Sequence, residues 1–285
     1  MAVIQALRTA STALGRNPII VGIVLALSLL QLPAQFARLA RPSVAAAVGA
    51  AFSVAILVAA PFLFGGLLGM AAEALDGTTG FGTFVETGKQ HYLSMLGAYL
   101  LLIGAMIPLG FAASLASLGV VSGLGIVSGG LSGTATPMFV AMFLVGTVVF
   151  VVVLVVPLFF VQFYGQAIVL DGTSAVGGFK HSIGLVRRNT VSVFGYSALV
   201  FAGGLCFGVL GSIPSMLLSV GMTRFPLSMP LSDLALPVVA TLTVVANIVF
   251  GLLAGLFLVF SVAFYRTLDT TGGADNPSGT PGAVA

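Results

Sequence analysis

The sequence predicts an all-α integral membrane bundle, and three observations lead to this fold class. Apolar residues make up 59% of the 285 positions and charged residues only 6%, against about 25% charged residues in an ordinary soluble domain. Between Tyr92 and Leu170 there is no Asp, Glu, Lys, Arg or His. The apolar runs are long and continuous, without the alternation of barrel strands. Such a chain cannot cover itself with polar surface, so we expect its solvent to be lipid.

Six apolar runs reach the length of about 20 residues that a helix needs to cross a hydrocarbon core about 30 Å thick. The predicted spans cover residues 18–37, 44–72, 92–119, 138–169, 191–221 and 234–265. Neighbouring helices in a membrane bundle can satisfy the carbonyls that an internal proline frees. We therefore predict kinks, not helix ends, at Pro33, Pro61, Pro108, Pro157 and Pro214.

The first apolar run has an alternative interpretation as a signal peptide, because two arginines precede it. Its length, the lack of a clear small-residue cleavage site and the repeat described below favour a retained first span.

The distribution of Lys and Arg predicts the orientation of the chain. Seven fall on one side of the predicted spans, namely Arg8, Arg16, Lys89, Lys180, Arg187, Arg188 and Arg266, and three on the other, namely Arg38, Arg41 and Arg224. The side that is richer in basic residues faces the cytoplasm. The sequence therefore predicts a multi-pass protein of the cell membrane with both termini in the cytoplasm.

Two polar, turn-rich segments are predicted to lie outside the helices. Residues 120–137 are rich in Gly, Ser and Thr and are predicted to form a flexible outer connector. Residues 269–285 are small, polar and turn-rich, and we expect a disordered cytoplasmic tail.

One polar decapeptide occurs twice, as LDGTTGFGTF at residues 75–84 and LDGTSAVGGF at residues 170–179, with a weaker copy at Leu268 and Asp269. A second element precedes the first and fifth spans as Arg16-Asn17 and Arg188-Asn189, and Gln90-His91 holds its place before the third. This periodicity predicts one six-span domain, residues 1–268, built from three tandem helical hairpins of about 1–77, 78–172 and 173–268.

The recurring letters have a physical interpretation. Gly77 and Gly172 suit a helix end with a positive φ, while Thr78, Thr79, Thr173 and Ser174 suit the cap of the next helix. Phe179, Ile183 and Val186 share one helical face, with Lys180 and Arg187 elsewhere. This pattern predicts a short amphipathic helix in the cytoplasmic headgroup layer.

The six spans, the Leu-Asp-Gly-Thr turns and the Leu-Val-Arg-Arg-Asn segment resemble a family of polytopic membrane proteins common in haloarchaea. That family is similar to the membrane domain attached to some glycerophosphodiester phosphodiesterases. The resemblance implies a membrane bundle with no assigned activity over most of residues 1–268. Because the catalytic barrel of the phosphodiesterases is absent from this sequence, the resemblance implies no catalytic residue.

Gln162, Gln166 and Asn247 are candidate cavity-lining residues inside the spans, and Gln31, Gln35, Tyr99 and Tyr164 are further polar residues there. The alternative is that they form hydrogen bonds between helices. Lys180, Arg187 and Arg188 are candidate contacts to lipid headgroups, or they serve only to fix the topology.

The sequence predicts no catalytic, cofactor or metal site. His91 and His181 lie near Asp76, Glu86 and Asp171 but lack a compact metal-ligand spacing. The scattered basic residues predict no nucleic-acid partner. The single cysteine, Cys206, excludes an intramolecular disulfide and is predicted to be buried.

Three functions remain from these observations. The first is a non-catalytic scaffold or accessory protein that contacts membrane lipids or membrane-protein partners, since the spans lack buried charge. The second is a transporter or channel for a neutral or lipidic solute. The third is an interfacial enzyme of lipid metabolism, which would require the histidines to converge with a carboxylate.

Overall fold

A computed structural model describes residues 2–30, 42–127, 135–220 and 236–274, and these ranges are almost entirely helical. The helices are α1 Ala2–Arg16, α2 Pro18–Leu29, α3 Pro42–Asp76, α4 Phe81–Val127, α5 Ala135–Val161, α6 Tyr164–Leu170, α7 Ala175–Arg188, α8 Thr190–Val220 and α9 Leu236–Ala274. The described ranges contain no strand. The predicted all-α class is confirmed for this part of the chain.

Between four and six helical segments of the described chain are long and apolar enough to cross a bilayer. Four are single segments: Ala46–Asp76, Phe81–Leu115, Leu144–Leu170 and Thr241–Leu268. Two more arise if α1 with α2, and α7 with α8, each count as one span. The structure thus agrees with a multi-pass membrane protein.

Both of these helix pairs bend sharply at an asparagine. The axes turn by 89° between α1 and α2 and by 105° between α7 and α8. The Asn17 Nδ2 donates to the carbonyl of Ala13 at 2.9 Å, and the Asn189 Nδ2 donates to that of Leu185 at 3.2 Å. Each amide therefore satisfies a carbonyl at the end of the preceding helix. These two asparagines hold the same place in the junction that recurs in the sequence.

The third predicted junction is not a bend. The helix α4 continues from Phe81 to Val127 through Gln90 and His91. Neither of these side chains hydrogen bonds to another described residue, so nothing local competes with the helix. The segment before the third predicted span is therefore part of that span's helix.

Prolines within the described spans do not end helices, as expected, and a break inside one of these spans lies elsewhere. Pro61, Pro108 and Pro157 all lie within continuous helices. The break falls at Gln162 and Phe163, between α5 and α6. Pro33 lies outside the described residues.

The predicted loop boundaries need correction. Helix α4 continues to Val127 and α5 begins at Ala135, so the predicted outer connector is helical at both ends. Helix α9 continues to Ala274, beyond the predicted helix boundary at Asp269. Residues 128–134 and 275–285 lie outside the described residues, as do Gln31, Gln35, Arg38, Arg41 and Arg224.

The tightly packed core lies around the C-terminal half of α9. Val259, Phe260, Val262, Phe264 and Tyr265 are all nearly inaccessible. Tyr196 of α8 stacks on Phe264 with ring centroids 4.5 Å apart. Helix α1 presents a stripe of small buried residues, Ala6, Ala10 and Ala13, to this core, which lets the two helices approach closely.

Away from this core, large apolar side chains remain exposed on the described spans. Ile107 of α4 is 67% exposed and Phe201 of α8 is 68% exposed. Cys206 is also exposed, so its predicted burial is wrong. An apolar run shows that a segment is in lipid but not which of its faces meets another helix.

The buried face of α7 shares only Val186 with the apolar face noted in the sequence. Its buried residues are Gly178, Ser182, Leu185 and Val186, whereas Phe179 and Ile183 are only partly buried. A glycine and a serine on the inner face do not stand out in a hydrophobic pattern, so the sequence did not indicate which residues of α7 pack against the bundle.

Candidate functional site at the charged end of the bundle

Several of the described charged and hydrogen-bonding side chains meet at one end of the bundle. Here the C-terminal ends of α3, α6 and α9 lie beside the N-terminal part of α4, with α1 and α7 packed around them. We call this region, which contains Asn17, Asp76, His91, Asp171 and Arg266, the charged end.

An ion pair joins α3 to α9 at the charged end. The Arg266 Nη1 lies 2.7 Å from the Asp76 Oδ1, and its Nη2 lies 3.0 Å from the Asp76 Oδ2. Both carboxylate oxygens are thus engaged by one guanidinium. Asp76 is therefore committed to a structural pair and is poorly placed to act as a metal ligand.

Asn17 connects the first junction to the first Leu-Asp-Gly-Thr turn. Its Nδ2 donates to the Gly77 carbonyl at 3.0 Å, and its Oδ1 accepts from the Thr79 amide at 2.8 Å. The side chain is 2% exposed. The Thr79 and Thr83 hydroxyls both donate to Glu73 at 2.6 Å. The two recurring elements of the sequence therefore contact each other in the first copy.

The second turn has the predicted backbone chemistry. Gly172 has a φ of 65°, the one positive φ among the described residues, so the prediction is confirmed there and wrong for Gly77. The Ser174 hydroxyl accepts from the Gly177 amide at 3.2 Å, which confirms it as the cap of α7. The Thr173 hydroxyl instead donates back to the Ala167 carbonyl at 2.9 Å.

Asp171 in this turn is held by α9. The buried Tyr265 hydroxyl donates to the Asp171 Oδ2. The His181 Nε2 lies 3.6 Å from the same oxygen and makes no hydrogen bond. The closing turn, the surface helix α7 and the last span are therefore joined through one carboxylate.

A cavity of about 730 Å³ opens beside Asp171. Its lining consists of Gly69 and Ala72 from α3, Thr87, Gln90 and His91 from α4, and Val169, Leu170, Asp171, Gly172, Tyr265 and Arg266 from α6, the second turn and α9. The structure thus brings His91 and Asp171 to one cavity. No group of three His, Cys, Asp or Glu side chains among the described residues is arranged to hold a metal ion.

The three predicted cavity residues lie elsewhere and hydrogen bond within the bundle. The Gln162 Nε2 donates to the Ser197 hydroxyl at 3.1 Å, and the Gln166 Nε2 donates to the Ser261 hydroxyl at 3.3 Å. The Asn247 Nδ2 donates to the Thr243 carbonyl at 2.8 Å. The first bond connects the break between α5 and α6 with α8, and the second connects α6 with α9. The Gln166 Oε1 is buried and has no hydrogen-bond partner.

The predicted headgroup contacts are free of internal ion pairs. Lys180, Arg187 and Arg188 are exposed on α7. None of them forms an ion pair with another described residue. Their charges therefore face the surroundings of the bundle.

Ser182 is a structural residue that the sequence analysis missed. Its hydroxyl accepts from the Phe163 amide at 3.1 Å and donates to the Phe160 carbonyl at 2.9 Å. It thereby satisfies both backbone groups that the break between α5 and α6 leaves open. The feature of the sequence that could have indicated this role is the spacing of four residues between Gly178 and Ser182 on α7. Tyr265 was also missed, because nothing local in the sequence connects it with Asp171.

Comparison with known proteins places the chain in a family. Residues 1–268 match the family described as Domain of unknown function (DUF7847). The chain belongs to this family. No curated protein and no solved structure matches it. The matched region ends at Leu268, the first residue of the third Leu-Asp copy.

Proposed function

We propose that this DUF7847 protein is a non-catalytic membrane scaffold or accessory protein, which lies in the cell membrane with both termini in the cytoplasm. The observation that carries the proposal is the pair of surface helices, α1 and α7, that turn by 89° and 105° from the spans that follow them. Both present basic residues to the surroundings, Arg8 and Arg16 on α1 and Lys180, Arg187 and Arg188 on α7. A helix set across a span end in this way suits the headgroup layer.

The scaffold that we propose consists of six spans arranged in three hairpins. Asn17 and Asn189 bend the chain in the same way at the start of the first and third hairpins. The middle hairpin keeps the closing turn at Asp171 but has no bend. A further observation supports the shared end: the Asp76 and Arg266 pair joins the close of the first hairpin to that of the third.

The chemistry at the charged end favours a scaffold over an enzyme. Asp76 pairs with Arg266, Asn17 binds a turn, and Asp171 holds Tyr265. Asp76 and Asp171 therefore both have structural partners. Among the described residues, His181 lies near one carboxylate, that of Asp171. Transport of a neutral solute is the alternative that the unpartnered Gln166 Oε1 favours, because an orphaned buried acceptor can serve a passing donor. The resemblance to a domain attached to phosphodiesterases of glycerophosphodiesters favours a role that involves lipid.

The proposal is tested by measuring which lipids are extracted together with the protein. Wild type and the triple variant Lys180→Gln, Arg187→Gln, Arg188→Gln are extracted in nanodiscs from membranes of mixed anionic and zwitterionic lipid, and the retained lipids are quantified. Each basic residue at an anionic surface contributes about 1 kcal/mol. We expect wild type to enrich anionic lipid severalfold and the variant to lose most of that enrichment.

A charge-conserving triple, Lys180→Arg, Arg187→Lys, Arg188→Lys, serves as the matched control and should keep the enrichment. Equal enrichment in wild type and the glutamine variant would show that these charges act on topology alone.

A further inference from the structure

We infer that the cavity at the charged end binds a hydroxyl-rich group, the vicinal diol of a glycerol or sugar unit. This site is distinct from the basic outer faces of α1 and α7. The cavity has a volume of about 730 Å³, which lies within the range of about 300–1,000 Å³ typical of small-molecule sites.

One wall of the cavity is a row of unpaired polar side chains. Thr87, Gln90 and His91 are three and four residues apart on α4, so they share a helical face, and all three line the cavity. None of their side chains hydrogen bonds to another described residue. Hydroxyl, amide and imidazole groups each offer a donor and an acceptor. A row of this kind matches ligand hydroxyls, which also donate and accept.

The cavity lining also contains a carboxylate with a free oxygen, that of Asp171. The Tyr265 hydroxyl and His181 both lie at the Asp171 Oδ2, and the Asp171 Oδ1 forms no hydrogen bond with a described residue. A carboxylate oxygen is an acceptor for ligand O–H groups. Asp171 can therefore accept hydrogen bonds from the hydroxyls of a ligand that also contacts Thr87, Gln90 and His91.

The balance of charge in the lining excludes the main competing ligands. Arg266 is the one cationic side chain of Lys or Arg type in the lining, and both oxygens of Asp76 engage it. With Asp171 uncompensated by a close arginine, a phosphate or carboxylate would meet repulsion. No trio of metal-ligating side chains exists among the described residues. An uncharged ligand with several hydroxyls fits this wall best.

The setting of the cavity allows the diol to be free or attached to a lipid. Ala72, Val169 and Leu170 supply an apolar part of the lining, and the helices that carry them are candidate membrane spans. A headgroup with its acyl chains in the bilayer and a soluble polyol present the same hydroxyls to Gln90 and Asp171.

The test uses the full-length protein in nanodiscs and native mass spectrometry of retained lipid. The probes are a monoglucosyl diacylglycerol, the same diacylglycerol without sugar, phosphatidic acid and phosphatidylethanolamine, with free methyl glucoside as a competitor. We expect selective retention of the glucosyl lipid. Displacement by methyl glucoside at a similar affinity would identify the soluble polyol as sufficient, and retention without displacement would identify the lipid-borne form.

Two variants locate the binding in the cavity. Gln90→Ala removes an exposed amide with no internal partner and should weaken retention about fivefold to tenfold. Ala72→Phe should fill the cavity and abolish retention. Lys89→Ala, beside Gln90 but outside the lining, is the control and should bind like wild type.

Each contrary result overturns the inference. Preference for phosphatidic acid would assign the cavity to an anion, and preference for phosphatidylethanolamine would assign it to an ammonium group. Unchanged glucosyl-lipid binding in both Gln90→Ala and Ala72→Phe, with native thermal stability, would place the binding elsewhere. If neither the glucosyl lipid nor methyl glucoside binds, the cavity is not a diol site.

Discussion

Asn17 and Asn189 show how one residue type can have equal local chemistry and unequal long-range roles. Each donates to the carbonyl four residues back and ends a surface helix. Asn17 also binds the Gly77 carbonyl and the Thr79 amide across the charged end. It is buried, whereas Asn189 is only partly buried. The first is thus a tertiary contact and the second mainly a local cap.

We predict that Asn17→Ala lowers the free energy of unfolding by about 2 kcal/mol or more, because it leaves the buried Ala13 carbonyl and the partly buried Thr79 amide without this partner. Asn189→Ala should cost about 1 kcal/mol or less, since its one bond lies within its own segment. Denaturant-induced unfolding in mixed micelles measures both. Equal losses in the two variants would contradict the tertiary role assigned to Asn17.

At the scale of the residue, the sequence was sufficient to predict local caps and turns but not to predict which distant residues contact each other. The Ser174 cap and the positive φ of Gly172 followed from residue type and position. The contact between Asp171 and Tyr265 joins residues 94 positions apart, and no local pattern encodes such a separation. The polar cavity could not be predicted from the sequence for the same reason, since its lining comes from four separate parts of the chain.

At the scale of the element, the close approach of α3 and α4 depends on glycine. A Cβ at Gly66 would lie 2.4 Å from the Phe84 carbonyl oxygen, and one at Gly88 would lie 2.9 Å from that of Phe62. Of the glycine pairs visible in the sequence, Gly65 and Gly69 do face α4, whereas Gly204 and Gly208 have nothing within 4 Å. Spacing alone does not tell whether a glycine face meets a helix or lipid.

We predict that Gly66→Ala destabilises the protein by about 1–3 kcal/mol, the range for overpacking a closely packed interface. The clash is with a backbone oxygen, so no side-chain rotation relieves it. Gly49→Ala, on the same helix α3 with nothing within 4 Å, is the control and should cause no loss. Thermal unfolding in detergent compares the two. A wild-type melting temperature for Gly66→Ala would show that α3 and α4 are less tightly packed than this geometry requires.

At the scale of the whole molecule, packing and polarity coincide at one end. The nearly inaccessible residues of α1, α6, α7 and α9 surround the charged end, while the middle of the described spans exposes large apolar side chains. A soluble protein would show the opposite distribution. Lipid therefore covers the exposed apolar faces, and the interfacial end holds the helices together.

This arrangement makes a prediction about the topology, because Arg266 and Asp76 lie at the same end. From the start of α9 at Leu236 to Arg266 the helix rises about 1.5 Å per residue, or about 45 Å. This exceeds a hydrocarbon core of about 30 Å. We therefore predict that the start of α9 lies on the opposite side from Asp76 and that α8 crosses the bilayer, so that α7 with α8 is a surface helix followed by a full span.

Cysteine accessibility tests this topology in a Cys206→Ser background. Thr78→Cys and Val176→Cys, in or beside the charged end, should react with a membrane-impermeant maleimide only from the cytoplasmic side. Ser132→Cys, between α4 and α5 in sequence, and Ser228→Cys, between α8 and α9, should react only from outside. Ser228→Cys is the decisive position, because a re-entrant α7 and α8 pair would return the chain to the side of Val176. Labelling of Ser228→Cys and Val176→Cys from the same side would therefore reduce the number of spans below six and place the two termini on different sides.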